Sequence, residues 1–226
     1  NMFLHEWEFI YQILKLIKQK HPNVTIVIGG ETATAWWDYM LKNSPELDIC
    51  AIGEGEDVMT NLLDVLSNGK SLKNAGSIVY KNNGKIIATE RIQRIKNIND
   101  ISLPAWDLFP VDKYLKHELG SGVNRGRSMP MLISRGCPYQ CTFCSSPLMW
   151  TTKWQARNVD LVIEEMQFYI DKYKAQNFDF YDLTTIVRKD WIVNFCQKII
   201  KKNWNITWQM PAGTRSEALD DETLGL

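Results

Sequence analysis

Three of the chain's five cysteines, Cys137, Cys141 and Cys144, fall within eight residues of the stretch "SRGCPYQCTFCSSP" (134–147). Thiols at this density bind metal or carry redox chemistry, and the spacing Cys-x3-Cys-x2-Cys narrows the choice. They are too close for a disulfide framework. A structural zinc site closes with four ligands, and the only histidines, His5, His21 and His117, stand at no ligand spacing. A conventional electron-transfer cluster takes four cysteines. Cys50 is isolated, and Cys196 lies in a helical stretch whose spacing turns it toward a core. A reactive thiol needs one cysteine and a base, not three. Three unrelated loop cysteines are a poor account of so dense a run. The remaining option is a cubane iron–sulfur cluster held by three thiolates, whose fourth iron stays open to a small molecule, as a catalytic metal requires.

The rest of the sequence says what must position this loop. With 226 residues and 45% apolar content the chain buries a core of one or two domains. Lys+Arg and Asp+Glu are 26 each, so no whole-chain charge draws nucleic acid or anionic lipid, and no nucleic-acid partner is expected. No apolar run is long enough for a membrane span, and the charged, amphipathic start is no signal peptide. Odd, clustered cysteines fit a reducing compartment, with the cytoplasm as the expected location. Nine tryptophans identify no ligand by themselves.

The first half alternates helix and buried strand. Apolar spacing predicts a helix over 6–19, ended by "HPN". "VTIVI" (24–28) suits a central parallel strand and runs into Gly29-Gly30. A helix follows at about 34–43, then a strand at 48–52 running into "GEGE" (53–56). A third helix, 56–67, is expected to set Val58, Leu62, Leu63 and Leu66 on one side. Strand, glycine turn and helix, twice over, are the grammar of an open α/β sheet. Residues 76–89 read as a hairpin turning at "NNG", and 91–129 as an ordered connector. From 130 a second α/β region begins. It has a strand at 130–134 entering the cysteine motif, a helix at 159–173 capped by Asn158, a strand at 178–183, a helix at 190–201, and a strand at 206–210. Such parallel crossovers are right-handed. A last helix begins near "EALDDETLGL".

The motif "RGCPYQCTFC", the strand before it and the aromatic before its last cysteine resemble the cluster loop of radical S-adenosylmethionine (SAM) enzymes. The resemblance implies that Cys137, Cys141 and Cys144 ligate a [4Fe-4S] cluster. SAM then chelates the open iron through its amino and carboxylate groups, and its reductive cleavage gives methionine and a 5′-deoxyadenosyl radical. It places the cluster at the C-terminal end of the first strand of a partial (βα) barrel, where α/β barrels hold their active sites. It sets Phe143 beside the adenine of SAM, and puts Asp182 and Arg215 where the family often has site residues. As strand-end residues, both equally suit a structural role. It also implies an external electron donor of flavodoxin or ferredoxin type and a small-molecule or peptide substrate.

The two glycine turns, each weak alone, gain meaning with the barrel motif. Neither is a Gly-x-Gly-x-x-Gly dinucleotide fingerprint, and the acidic "GEGE" would repel a phosphate. In this order, with "LPAWDLFP" as connector, they resemble the cobalamin-binding subgroup of radical SAM enzymes, in which a Rossmann-like domain precedes the barrel. The resemblance implies cobalamin lined by Gly29, Gly30, Thr32, Thr34, Gly53, Glu54 and Gly55, with Glu56 starting a helix whose N-terminus suits a carboxylate. The expected organisation is the C-terminal part of a cobalamin-binding-type domain over 1–90, a connector over 91–129, and the N-terminal part of the barrel over 130–226. Because the subgroup's first domain starts upstream and its barrel continues beyond, the chain is expected to be a fragment. The implied reaction is methyl transfer, or cyclisation, at an unactivated carbon. Alternatives are a radical SAM enzyme whose first domain binds no cobalamin, and a non-catalytic zinc-binding scaffold.

Overall fold

The computed structural model of the chain describes residues 3–120 and 122–226. Asn1, Met2 and Ser121, the last inside the stretch read as a connector, lie outside the described residues. The chain forms two compact units, one of residues 1–96 and 138–152, the other of residues 97–137 and 153–226.

The first unit runs α1 (Trp7–Lys20), β1 (Val27–Ile28), α2 (Glu31–Asn43), β2 (Ile49–Ala51), α3 (Gly55–Ser67), β3 (Ile78–Asn82) and β4 (Lys85–Ala88). The sheet order is β1-β2-β3-β4; β1 and β2 are parallel, and the other two pairings antiparallel. The period of two in a strand sorts the core into two layers. Cys50, Ile52 and Val79 face Leu14 of α1 and Met40 and Leu41 of α2. Ile49, Ala51, Ile78 and Tyr80 face Val58, Leu62 and Val65 of α3. Two sequence expectations change here. The 24–28 strand is not central: among the described residues β1 lies at the edge of the sheet, paired to β2. The inward face of α3 is Val58, Leu62 and Val65, while Leu63 and Leu66 are 56% and 39% exposed. Leu62 and Val65 are three apart and share a face; Leu63 sits a hundred degrees round the helix from Leu62. The hairpin turns through Asn83 and Gly84, both at positive φ, the pattern of a two-residue turn matched to strand twist.

The second unit holds α4 (Val111–Lys116), β5 (Ser128–Met131) and β6 (Ser134–Arg135). After the cysteine loop, whose far end carries α5 (Ser146–Trp150) in the first unit, come β7 (Gln155–Ala156), α6 (Val159–Tyr173), β8 (Asn177–Phe180), α7 (Lys189–Lys202), β9 (Thr207–Gln209) and α8 (Asp221–Leu224). Strands β5, β8 and β9 form an all-parallel sheet in the order β5-β8-β9. Asn158 caps α6, its Oδ1 accepting from the Asp160 amide at 2.8 Å. Met129, Met131, Phe178 and Phe180 turn to one face and pack on Val162, Met166, Tyr169, Ile192 and Phe195 from α6 and α7. Cys196 belongs to that core. Trp106, Val111 and Leu115, from the stretch read as a connector, pack there as well.

The expected 130–134 strand is divided. Strand β5 ends at Met131; Ser134–Arg135 pair instead with Ala156 and Gln155 in a separate antiparallel ribbon. The 178–183 strand ends early, at Phe180.

Leu62→Ala should cost about 2–5 kcal/mol, the range for truncating a fully buried leucine, and Leu63→Ala no more than about 0.5 kcal/mol, as for a surface change. Urea unfolding of both variants checks the assignment of the face; equal losses would contradict it.

Candidate functional site

The loop that bears the cysteines leaves β6 at Gly136, whose φ of 87° is a left-handed conformation that a side chain would strain. It is closed at its base by the β6–β7 ribbon, and Arg157 extends the closure by donating its amide to the Ile133 carbonyl at 2.8 Å. Cys137 belongs to the second unit, Cys141 and Cys144 to the first. Cys137 and Cys141 are half-buried and Cys144 is exposed. The Cys144 amide donates to the Cys141 carbonyl at 3.0 Å, a turn that sets both residues on one short bend. Among the described residues no three His, Cys, Asp or Glu side chains are gathered in a metal-holding arrangement. The three thiols share one loop. None is in a disulfide. The donor set, three thiols outside any disulfide on one loop, is of the chemistry an iron–sulfur cluster takes.

The two other cysteines supply no fourth ligand. Cys50 is fully buried and its thiol is pushed up to about 12 by burial, against a smaller opposing pull from Lys81. Burial raises the Cys196 thiol as well. Both lie in apolar cores, which disfavour the thiolate that a metal binds.

Asp182 lies two residues past β8 and is 1% exposed. Its carboxylate accepts from the Ile133 amide at 3.1 Å, from the Ser134 amide, and from the Ser134 hydroxyl at 2.5 Å. Desolvation pushes its pKa up to about 6, although the Ser134 hydroxyl and the two amides pull the other way. It thus holds the chain where β5 hands over to β6, three residues before Cys137. Of the other residues expected near SAM, Phe143 is 92% exposed, and Arg215 pairs with Glu217 at 3.1 Å. A cavity of about 400 Å³ lies beside Leu132, Ser134, Arg135 and Tyr181, with Trp106 and Glu165 on its walls. Its wall is braced by a chain of bonds. The Trp106 indole donates to the Tyr169 hydroxyl at 2.9 Å, Tyr169 donates to Glu165 at 2.6 Å, and Glu165 pairs with Arg157.

In the first unit the glycine turns sit at the C-terminal ends of the adjacent parallel strands β1 and β2. Gly30 and Gly53 have φ of 100° and 86°. A Cβ on Gly29 would meet the Ala51 Cβ at 3.4 Å, so the two strand ends approach closely. Thr34, buried, accepts the Gly53 amide on its hydroxyl at 3.0 Å and locks one turn to the other. Thr32 is half-buried, and Gly55 opens α3. The Glu54 carboxylate is turned inward, accepting the Ile95 amide at 2.8 Å with Arg94 Nε at 3.6 Å. Sequence reasoning missed three parts of this region: the β6–β7 clasp, the Arg94 partner of Glu54, and Glu31, which accepts the Trp150 indole N–H at 2.8 Å. A two-residue ribbon has no periodicity to detect, and partners separated by 119 residues leave no local pattern.

No protein-family model matches the chain. It is 32% identical over 198 residues to an uncharacterized methyltransferase of Pyrococcus horikoshii, covering 88% of this chain and 42% of the relative. It is 27% identical over 216 residues to the anaerobic magnesium-protoporphyrin IX monomethyl ester cyclase of Rubrivivax gelatinosus, covering 93% of this chain and 37% of that one. The chain thus spans less than half the length of these curated relatives. Among solved structures it shares the fold of the cobalamin-dependent S-adenosylmethionine radical enzyme OxsB with aqua-cobalamin and S-adenosylmethionine bound. The TM-score is 0.71 at 19% identity, over 90% of this chain and 28% of that one.

Replacing Asp182 by Asn should change how stability varies with pH. Below about pH 4 the carboxyl is protonated in both folded and unfolded chains. As pH rises toward 6 the unfolded chain releases this proton first, so the wild type loses stability across that window. The loss amounts to about 3 kcal/mol for a shift from 3.8 to about 6. Relative to wild type, Asp182→Asn should therefore gain by up to that amount between pH 4 and 7. Urea melts at the two pH values measure it, and a flat difference would rule it out.

Proposed function

We propose that the protein is a cobalamin-dependent radical SAM enzyme of the methyltransferase or cyclase type, a reading supported by its similarity to a methyltransferase and a cyclase. The observation that carries the reading is the cysteine loop: three thiols outside any disulfide, closed at the base, with the two other thiols buried in apolar cores. Cys137, Cys141 and Cys144 would hold a [4Fe-4S] cluster. When bound, the cluster supplies the electron for reductive cleavage of SAM, and cobalamin supplies a methyl carrier. The chain's own residues do the holding. Asp182 fixes the start of the loop. Gly136 lets the backbone turn. The cavity beside Ser134 and Arg135 is within the size range of small-molecule sites. Phe143 offers an exposed ring that an adenine would cover, and Arg215 an exposed cation for a carboxylate.

For cobalamin, the close glycine turns give a bare backbone surface at two adjacent strand ends, where ligands of open α/β sheets bind. Gly29, Gly30, Thr32, Gly53 and Gly55 would line it. Thr34 and Glu54 would shape it from behind, since the hydroxyl of one is committed to Gly53 and the carboxylate of the other to Ile95 and Arg94. The reaction is methyl transfer or cyclisation at an unactivated carbon of a small molecule or peptide, with electrons from a flavodoxin- or ferredoxin-type donor. No helix among the described residues is long and apolar enough to cross a membrane.

Anaerobic reconstitution of the full-length protein tests this. The expected outcome is about four iron and four sulfide per chain, SAM cleaved to methionine under a reductant, and corrinoid absorbance that co-elutes with the protein. Changing Cys137, Cys141 and Cys144 together to Ala should abolish iron uptake and SAM cleavage. Zinc without sulfide, or cleavage that survives the triple change, would refute the reading.

A further inference from the structure

Helix α5 begins two residues after Cys144 and is only five residues long. A helix this short has no stability of its own, so its side-chain contacts decide where it sits. Those contacts lead to the two glycine turns. The Trp150 indole N–H donates to Glu31 Oε1 at 2.8 Å, and the Ser146 hydroxyl lies 3.5 Å from the same oxygen. Glu31 is the residue directly after Gly30 and the first of α2. Arg94 donates to the Trp150 carbonyl, has its guanidinium 5.6 Å from the centre of the Trp150 ring, and pairs with Glu54 between Gly53 and Gly55. Arg91 donates to the Leu148 carbonyl at 2.9 Å. Two arginines thus satisfy carbonyls at the C-terminal end of α5, where cations are favoured. The Arg94–Glu54 pair is buried, with side chains 14% and 4% exposed, so neither partner can move alone at small cost.

We infer that Glu31, Trp150 and Arg94 are positioning residues that tie the end of the cysteine loop to both glycine turns, so that filling one cofactor site changes affinity at the other. This rests on the functional reading above. A ligand that displaces the 29–31 turn moves the acceptor of Trp150. One that displaces the 53–55 turn moves the partner of Arg94. Either shift reaches α5, and through it the bend holding Cys141 and Cys144. Coupling of this kind is reciprocal: whatever the cluster does to cobalamin affinity, cobalamin does to the cluster.

The test titrates hydroxocobalamin into full-length protein with and without the reconstituted cluster. In wild type the two dissociation constants should differ by about fivefold or more, the lower end of ordinary coupling. Trp150→Phe, which keeps an aromatic ring and removes the indole N–H, and Glu31→Leu, which removes the acceptor, should each bring the ratio below about twofold while iron per chain is retained. A merely structural contact would lower stability without altering the ratio. Where Trp150→Phe fails to fold, Glu31→Leu carries the same test. A ratio near one in wild type, or an unchanged ratio in the variants, overturns the inference and leaves the functional reading standing. A wild type that takes up neither iron–sulfide nor corrinoid overturns both.

Discussion

Everything in the cysteine loop starts from one buried carboxylate. After Met131 the chain leaves the parallel sheet, and by Ser134 it has entered a different ribbon. At that crossing the amides of Ile133 and Ser134 turn to the Asp182 carboxylate, and both residues are buried. A buried amide without an acceptor costs about 1–3 kcal/mol, and here there are two, with a hydroxyl beside them. A carboxylate has lone pairs enough for all three; no other side chain of that size does. The fold accepts a desolvated acid, with its pKa pushed up to about 6, to satisfy them. Where β8 ends thereby decides where the cysteine loop begins.

The same demand explains why the loop is closed twice over at its base. A segment that must present three thiols cannot spend its backbone on a helix or a sheet. Its polar groups need partners from outside, and its ends must be close together. The β6–β7 pair brings the ends together, and Arg157 and Trp191 extend the closure: the Trp191 indole donates to the Arg157 carbonyl at 2.7 Å. Arg157 in turn holds Glu165 and, through it, Tyr169, whose hydroxyl is pushed up by burial and by its bond to Glu165. The base of the loop is thus continuous with the core made by α6 and α7.

How much of this was legible follows from range. The long helices 6–19, 159–173 and 190–201 were readable because their periodicity spans three or more turns, and the Asn158 cap is a local signal. The hairpin at Asn83-Gly84 was readable for the same reason. The face of α3 differs from the expectation because its apolar residues spread over about half the helix circumference, and only packing on Ile49 and Ile78 picks the inner ones. The 130–134 strand was read as one because apolar composition does not mark the residue at which a strand changes partner. Asp182 was singled out by its place at a strand end, but its three donors belong to residues 48 and 49 positions away. The motif cysteines were legible as a set, since their spacing is a local property. Their setting was not.

Glu54 shows how the residues of one short motif can take different structural parts. In "GEGE" the resemblance sets Gly53, Glu54 and Gly55 against cobalamin and leaves Glu56 to start the helix. In the folded chain the two glycines and the glutamate divide the work. Gly53 takes a left-handed conformation that a side chain would strain, and no heavy atom stands within 4 Å of a Cβ built there or on Gly55. The outer surface of the turn is therefore open backbone. Glu54 points the other way and draws in Arg94, which also holds the end of α5. A carboxylate facing a large organic cofactor would have to give up solvent without gaining a partner. Turned inward, it gains an amide and a guanidinium. The acidic residue between the glycines is thus suited to fixing the turn's shape, and the glycines to meeting whatever lies against it.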